Sequence, residues 1–379
     1  MNYFLKEKEE MVRDLFSDYV NKRIIPIRAE LDEKDQFPAD IFTEMGKQDF
    51  YRIVVPEAYG GLGDESMSAA LGIEELSRGD GGIGVTFAVN AIATKGIILY
   101  GNEAQKKKYL PAVADGKIYT AFGLSEPGAG SDAGSIKTKA VKKGDKYILD
   151  GVKQFITNGA IAGVTLVIAV TDPEKGHRGQ TAFIVEQGTP GFTVGKSEDK
   201  MGIRSSVTNQ LIFDGCEVPQ ENILGSPGQG FYIALGLLDR SRIGIGAQAV
   251  GIARGAFDEA VKYSKEREQF GQLISSFQAI QFMLADMAAG IEAARLLVYQ
   301  AARQVDSGEK EITVPGAMAK LFASDMAMQV TTDAVQVFGG YGYSKEYPVE
   351  KMMRDAKVTQ IYEGTNQIQR VVIASKLLK

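Results

Sequence analysis

The sequence predicts an α+β multidomain fold: an N-terminal α-helical domain over residues 1–118, a middle β-barrel or sandwich domain over 119–230, and a C-terminal helical-bundle domain over 231–379. Three observations predict it. Apolar residues at helical spacing occupy both ends of the chain. Short β-prone runs separated by turn residues fill the middle. One apolar seam runs for 26 residues through the C-terminal part. At about 150 residues per domain, 379 residues suit two or three such units.

In the first zone Leu5, Met11, Val12, Leu15, Phe16 and Tyr19 recur at helix-like intervals, punctuated by Pro26, Pro38 and Pro56. Tyr59 to Asp64 reads as a loop, and a stretch rich in small residues runs from Gly79 to Gly101. In the second zone the runs 146–149, 165–170 and 181–185 are β-prone, and Gly144-Asp145, Asp150-Gly151, Asn158-Gly159 and Asp214-Gly215 supply turns between them. In the third zone Ile280, Leu284, Met287, Ile291, Ala294, Val298, Ala301 and Val305 alternate spacings of four and three, a seam for antiparallel helices. Pro315 stands in the first turn of the next helix, and Gly339-Gly340 closes it. Gly244-Ile245-Gly246 on a helical stretch implies close approach by another helix or by a ligand.

Composition excludes several function classes. Hydrophobic residues make up 44% and charged residues 24%, ordinary for a globular chain. The net charge of −5 disfavours nucleic acid as a partner. Lys106 to Lys108 read as a solvated helix face. A single cysteine, Cys216, and a single histidine, His177, cannot build a Cys/His metal site and leave little room for a Ser-His-Asp triad, so no metal is expected. His177 reads as an exposed turn residue and Cys216 as a semi-buried thiol near a strand end. The N-terminus is charged from the outset, and no run comes close to a membrane span of about 20 apolar residues. A cytoplasmic protein with no membrane partner is therefore expected.

Gly128-Ala129-Gly130-Ser131-Asp132-Ala133 fits a loose dinucleotide-binding pattern, but a β-hairpin over 139–155 follows it where a helix is required. Another motif accounts for this turn. Five segments appear in order along nearly the whole chain: Phe122-Gly123-Leu124-Ser125-Glu126-Pro127-Gly128-Ala129-Gly130-Ser131-Asp132; Phe155-Ile156-Thr157-Asn158-Gly159; Arg267-Glu268-Gln269-Phe270-Gly271-Gln272; Gln336-Val337-Phe338-Gly339-Gly340; and Ile361-Tyr362-Glu363-Gly364-Thr365-Asn366-Gln367. Together they resemble the acyl-CoA dehydrogenase family, and within it the short-chain, butyryl-CoA branch.

The resemblance implies an FAD enzyme whose last domain is a four-helix bundle, and it assigns roles. Glu363 would be the base that removes the substrate's α-proton; a loop glutamate is otherwise most often just solvated. Phe122, Leu124, Ser125 and Ser131 would lie against the flavin, with Ser131 also reaching acyl-CoA. Phe155, Ile156 and Thr157 would cover the other face of the ring, Phe155 standing where many relatives carry Trp. Arg267, Phe270, Gln278, Gln336, Gly339 and Gly340 would hold the adenosine and pyrophosphate half of a neighbouring subunit's cofactor, which implies a homotetramer. Thr365 and Gln367 would return to the cofactor. Asp239, Arg242, Tyr362 and Gly364 would contact the acyl-CoA substrate; the simpler alternative for Arg242 is a helix-start salt bridge. Electron-transfer flavoprotein would be the redox partner.

Departures narrow the branch. Isovaleryl- and long-chain-specific relatives carry their base at the position of Ser241, which cannot serve as one. Glutaryl-specific relatives place an Arg within the stretch matching Gly81 to Gly96. That stretch has none here, which argues against a dicarboxylyl substrate. Phe87, Asn90, Lys95 and Gly96 differ from a plain butyryl pocket. Two alternatives share the fold: an enoyl-CoA reductase, even of an aromatic-substituted substrate, working with electron-transfer flavoprotein, and an acyl-CoA oxidase.

Overall fold

The computed structural model describes residues 3–63 and 65–378. Asp64, at the end of the predicted loop, lies outside the described residues, as do Met1, Asn2 and Lys379. Six α-helices come first: α1 (Glu7–Tyr19), α2 (Arg28–Lys34), α3 (Ala39–Lys47), α4 (Ser66–Gly79), α5 (Gly81–Tyr100) and α6 (Glu103–Ala114). Strands β1 (Tyr119–Gly123), β2 (Lys139–Lys143), β3 (Lys146–Thr157), β4 (Ala162–Val170), β5 (Gln180–Glu186), β6 (Phe192–Ser197), β7 (Thr208–Pro219) and β8 (Ile223–Leu224) follow. Then come α7 (Gly230–Ser264), a small hairpin of β9 (Glu268–Gln269) and β10 (Gln272–Leu273), α8 (Gln278–Asp306), α9 (Thr313–Phe338), α10 (Val349–Thr359) and α11 (Asn366–Leu377).

The eight strands form one sheet in the order β6-β7-β3-β2-β4-β5-β8, with β1 parallel to β4 off that path. At β4 and β5 both faces of the sheet are covered, so alternate residues of one strand enter different cores. On β4, Val164, Leu166 and Ile168 join the helices, while Val167 and Ala169 face a second core with Phe183, Leu211 and Phe213. Cys216 belongs to this second core and is fully buried, which corrects the semi-buried reading; it pairs opposite Leu149 inside the ladder. Its thiol is pushed up to about 12 by burial, with Asp150 and Glu217 adding to the shift.

Helix α5 corrects a second expectation. Gly81–Tyr100 is long and apolar enough to cross a membrane by length and composition. However, 78% of its apolar window is buried inside the fold, as befits a core helix. Asp80 caps it, accepting from the backbone N–H groups of Gly82 (2.9 Å) and Ile83 (3.0 Å).

The α8 seam forms as expected, with Met287, Ile291, Ala294, Val298 and Ala301 buried against α7 and α9. Gly246 is where α7 meets α8: a Cβ there would stand 2.8 Å from Val298 Cγ2. One turn on, a Cβ at Gly251 would lie 2.2 Å from the Glu74 carbonyl oxygen of α4. At Gly246 the open alternative thus resolves to helix–helix contact, whereas Gly244 lines a small cavity between α4, α5 and α7.

One buried ionic cluster ties the three parts of the chain together. Lys351 on α10 pairs with Asp80 (2.7 Å) and Asp355 (2.6 Å). Asp80 also accepts from Ser205, and Asp355 from the Ile203 N–H, in the loop before β7. Burial alone would raise the Asp80 carboxyl, but Lys351 and Ser205 hold it below its ordinary value.

Candidate active site

Glu363 sits in the short connection between α10 and α11, in the left-handed region at φ 53°, followed by Gly364 at φ 89°. A non-glycine residue there costs about 1–2 kcal/mol, so its surroundings must hold it. Gln369 Nε2 donates to the carbonyls of Glu363 (3.2 Å) and Gly364 (2.8 Å). Lys320 Nζ on α9 donates to the Gly364 carbonyl at 2.9 Å. Thr365 caps α11, its Oγ1 accepting from the Ile368 N–H at 3.2 Å, so that oxygen is committed locally. Gln367 is exposed.

The carboxyl reaches back to α7, where Ser241 Oγ donates to Glu363 Oε2 at 2.6 Å. Burial raises its pKa above the ordinary carboxylate range; the Ser241 hydrogen bond and the charges of Arg242 and Lys320 oppose that rise. Ser241 thus supplies a hydrogen-bond donor to this carboxyl. Because that donor favours the ionised form, Ser241→Ala should raise the Glu363 pKa further. The acid limb of kcat/KM should then move to higher pH, and a limb that stays put would show that Ser241 does not tune Glu363.

Arg242 is buried and pairs with Asp239 at 2.6 Å, while Asp239 also accepts from Thr313 Oγ1 at 2.7 Å. The pair lies well inside α7, which begins at Gly230, so it is no helix-start bridge. Arg242 Nε is buried with no partner among the described residues, an available donor near the carboxyl. Tyr362 donates to Gln248 Oε1, and Gln248 Nε2 donates to the Gly81 carbonyl at 2.9 Å. On the other flank of Ser241 lies a cavity of about 60 Å3 between α4, α5 and α7. Its lining includes Ile73, Ala88, Ile92, Ile243 and Gly244, with Lys95 and Arg240 at its polar side.

The turn after β1 and the end of β3 meet beside one another. The Gln154 N–H donates to the Ser125 carbonyl at 2.9 Å. Lys153, fully buried, donates to the Leu124 carbonyl (3.0 Å) and to Glu126 (2.7 Å). Glu126 in turn accepts from the Thr138 N–H at 3.0 Å. Burial pulls the Lys153 ammonium down to about 8 against the attraction of Glu126. A register shift between Lys153 and Ile156 interrupts the ladder with β7. There Phe155 takes φ 59° and turns its ring outward, 65% exposed. Ile156 points the other way, into the second core, so what this residue has to offer a ring there is its backbone. Thr157 and Ser125 are half-buried, Ser131 is exposed, Leu124 is buried, and Phe122 packs against the helical core.

The remaining predicted residues gather elsewhere. A cavity of about 610 Å3 is lined by Arg267, Gln336, Gly339, Gly340 and Tyr341 among others, and by none of the residues around Glu363. Arg267 lies over the Tyr341 ring at 5.4 Å. A Cβ at Gly339 or Gly340 would meet nothing within 4 Å, so bare backbone faces open space. Phe270 is 95% exposed at φ 55°, and Gln278 is exposed at the start of α8. Both places fit a flavin nucleotide: an outward aromatic ring beside a backbone-rich turn at one, and an arginine with uncovered glycine backbone at the other. Sequence reasoning missed Lys320, Lys153, Glu126, Gln248 and Gln369. Lys320 alone carried a visible signal, as a lysine inside the apolar run Ala317 to Ala323.

Comparison with known proteins agrees along the whole chain. Models of the N-terminal, middle and C-terminal domains of acyl-CoA dehydrogenase match residues 6–117, 121–216 and 228–378. A solved structure from Acidaminococcus fermentans, described as its electron transferring flavoprotein in work on flavin-based electron bifurcation, superposes with TM-score 0.98 at 52% identity, covering 100% of both chains. Butyryl-CoA dehydrogenase from Megasphaera elsdenii superposes with TM-score 0.97 at 47% identity, again over 100% of both chains. The acryloyl-CoA reductase (NADH) of Anaerotignum propionicum is 45% identical over 381 residues, covering 100% of this chain and 96% of its own. The chain therefore belongs to the acyl-CoA dehydrogenase family, FAD-dependent oxidoreductases that act on the CH–CH bond of acyl-CoA thioesters.

Proposed function

We propose that this enzyme dehydrogenates a short-chain or closely related acyl-CoA at its α,β bond, with Glu363 as the base and electron-transfer flavoprotein as the electron partner. The observation that carries the reading is the raised Glu363 carboxyl, bonded to Ser241 beside a small, mostly apolar cavity. A thioester makes its α-C–H weakly acidic, and a carboxylate that loses more water as substrate enters becomes a stronger base. When bound, FAD supplies the acceptor for the β-hydrogen as hydride. The protein's part is to aim Glu363, exclude water, and place the thioester with Arg242, Asp239, Tyr362, Gly364 and Ser131. Phe122, Leu124, Ser125, Phe155, the Ile156 backbone, Thr157, Thr365 and Gln367 are proposed to hold the flavin.

The separate cavity around Arg267 and Gly340 supports a shared cofactor site in a homotetramer, with Phe270 and Gln278 reaching a neighbouring subunit. A cytoplasmic location without membrane attachment completes the proposal. A second reading, net reduction of an enoyl-CoA, is favoured by the reductase among the relatives, and the same base would serve as acid in that direction.

The cavity of about 60 Å3 is small and half-open. A longer acyl chain pressed against Ile73, Ala88, Ile92 and Ile243 would lose about 1–3 kcal/mol wherever those side chains had to move. On the short-chain reading, anaerobic flavin bleaching across saturated acyl-CoAs should be fastest near four carbons and fall about tenfold or more by eight. Equal rates for butyryl- and octanoyl-CoA would defeat the short-chain assignment. Reoxidation of the reduced flavin by crotonyl-CoA measures the reverse direction in the same cuvette.

A further inference from the structure

The family's catalytic groups do not account for a lysine buried directly behind the Glu363 turn. Lys320 has no exposed surface. Its ammonium donates to the Gly364 carbonyl at 2.9 Å and to Asn366 Oδ1 at 2.8 Å. Asn366 is itself locked: its Nδ2 donates to Ser324 Oγ (2.9 Å) and to Asp325 Oδ1 (2.7 Å), and its N–H donates to the Gln360 carbonyl (3.0 Å). One side chain thus grips both sides of Thr365 and fastens the whole turn from Glu363 to Asn366 onto α9.

We propose that Lys320 is the positioning residue of the base, fixing the left-handed turn that aims the Glu363 carboxylate at the substrate's α-carbon. The argument rests on what the turn needs. Two consecutive residues with positive φ do not stay in place unaided, and the Gly364 carbonyl would otherwise rotate freely about a glycine. Gln369 holds the same carbonyl from the C-terminal side, so Lys320 supplies the second, opposing anchor. A buried ammonium is an expensive way to hold two neutral acceptors, and simple packing would be served by methionine or leucine. Burial draws Lys320 down to about 7, while Glu363 and Asp325 pull it upward and Arg242 opposes them. Its retention as a cation is therefore linked to the charge on Glu363.

The inference rests on Glu363 being the base, and the test separates the two ideas. In the FAD-loaded enzyme, Lys320→Met removes the donor at nearly constant length, whereas Lys320→Gln keeps a donor without the charge. Flavin reduction by butyryl-CoA is followed by stopped flow, alongside FAD content, KM, and the primary isotope effect with α-deuterated substrate. We expect K320M to retain FAD, keep KM within about threefold, slow reduction by about 10–100-fold and enlarge the α-deuterium isotope effect, with K320Q partly restored. A general loss of structure would not raise that isotope effect. If K320M does not yield soluble holoenzyme, K320Q is judged by the same readouts. Wild-type rate and isotope effect in the soluble variant overturn the positioning role. Should Glu363→Gln also reduce its flavin normally, the base assignment itself falls; if only the lysine variants are normal, the base stands and Lys320 is a packing residue.

Discussion

Glu363→Gln should abolish flavin reduction by acyl-CoA while leaving the protein folded and loaded. The amide keeps the size of the side chain and can still accept from Ser241 Oγ, now 2.6 Å from Oε2, so the turn has no reason to move. What disappears is the carboxylate that Ser241 holds there; the chain's one histidine is exposed and stacked on Phe231, and its one cysteine is buried inside the sheet. General base catalysis is worth about 10²- to 10⁴-fold, and neither the histidine nor the cysteine is placed to take over, so the loss should sit at or beyond the upper end. FAD content and acyl-CoA affinity, read by gel filtration and by the spectral shift on binding, should stay close to wild type. Reduction within tenfold of wild type would remove Glu363 from the role.

Lys351→Met should give the largest loss of stability. Lys351 lies between Asp80 and Asp355, all three buried, and its removal leaves two carboxyls facing each other without a counter-ion. Breaking a buried pair in this way costs about 3–5 kcal/mol. In the variant one of the two must be protonated to remain buried, so its folded-state pKa lies above its unfolded value. The folded state then binds more protons than the unfolded state, and stability rises as pH falls. Urea midpoints at pH 8 and pH 5.5 should therefore show the deficit against wild type shrinking in acid. A pH-independent deficit, or none, would mean that the cluster does not carry charge. Because Asp80 caps α5 and Asp355 holds the Ile203 N–H, the damage should be felt in all three parts of the chain.

How much of this was legible depended on whether a position faces one environment or several. Helix α8 meets core on one side and solvent on the other, so its apolar period survives in the sequence, and the eight-residue seam was readable. Helix α5 is buried on every face over its first half, so its pattern there has no period; only a stretch of small residues was visible, and its burial was not. The order of helices, strands and helices followed from local pattern, whereas the pairing of β1 with β4 in parallel, across some forty residues, did not. In the site, motif likeness pointed to Glu363 but not to what aims it. Lys153 and Lys351 carried no sign of burial, and Lys320 only its apolar neighbours, because a buried lysine is defined by partners distant in sequence, such as Leu124, Gly364 and Asp80. The outward turn of Phe155 and the inward turn of Ile156 depend on a ladder irregularity that alternation alone does not reveal.

The glycine contacts along α7 bear on how this enzyme could be engineered. Replacing helix-interior glycines by alanine is a common route to thermostability, worth about 0.5–1 kcal/mol per site through the unfolded chain. At Gly246 and Gly251 that recipe inverts. The added methyl would strike Val298 or the backbone of α4, and the helices would have to separate to admit it. Separation of α4 from α7 would widen the same crevice that holds the small cavity beside Ser241. A stabilising programme on this scaffold should leave those glycines alone, whereas a programme seeking longer acyl chains could begin with them, trading melting temperature for reach.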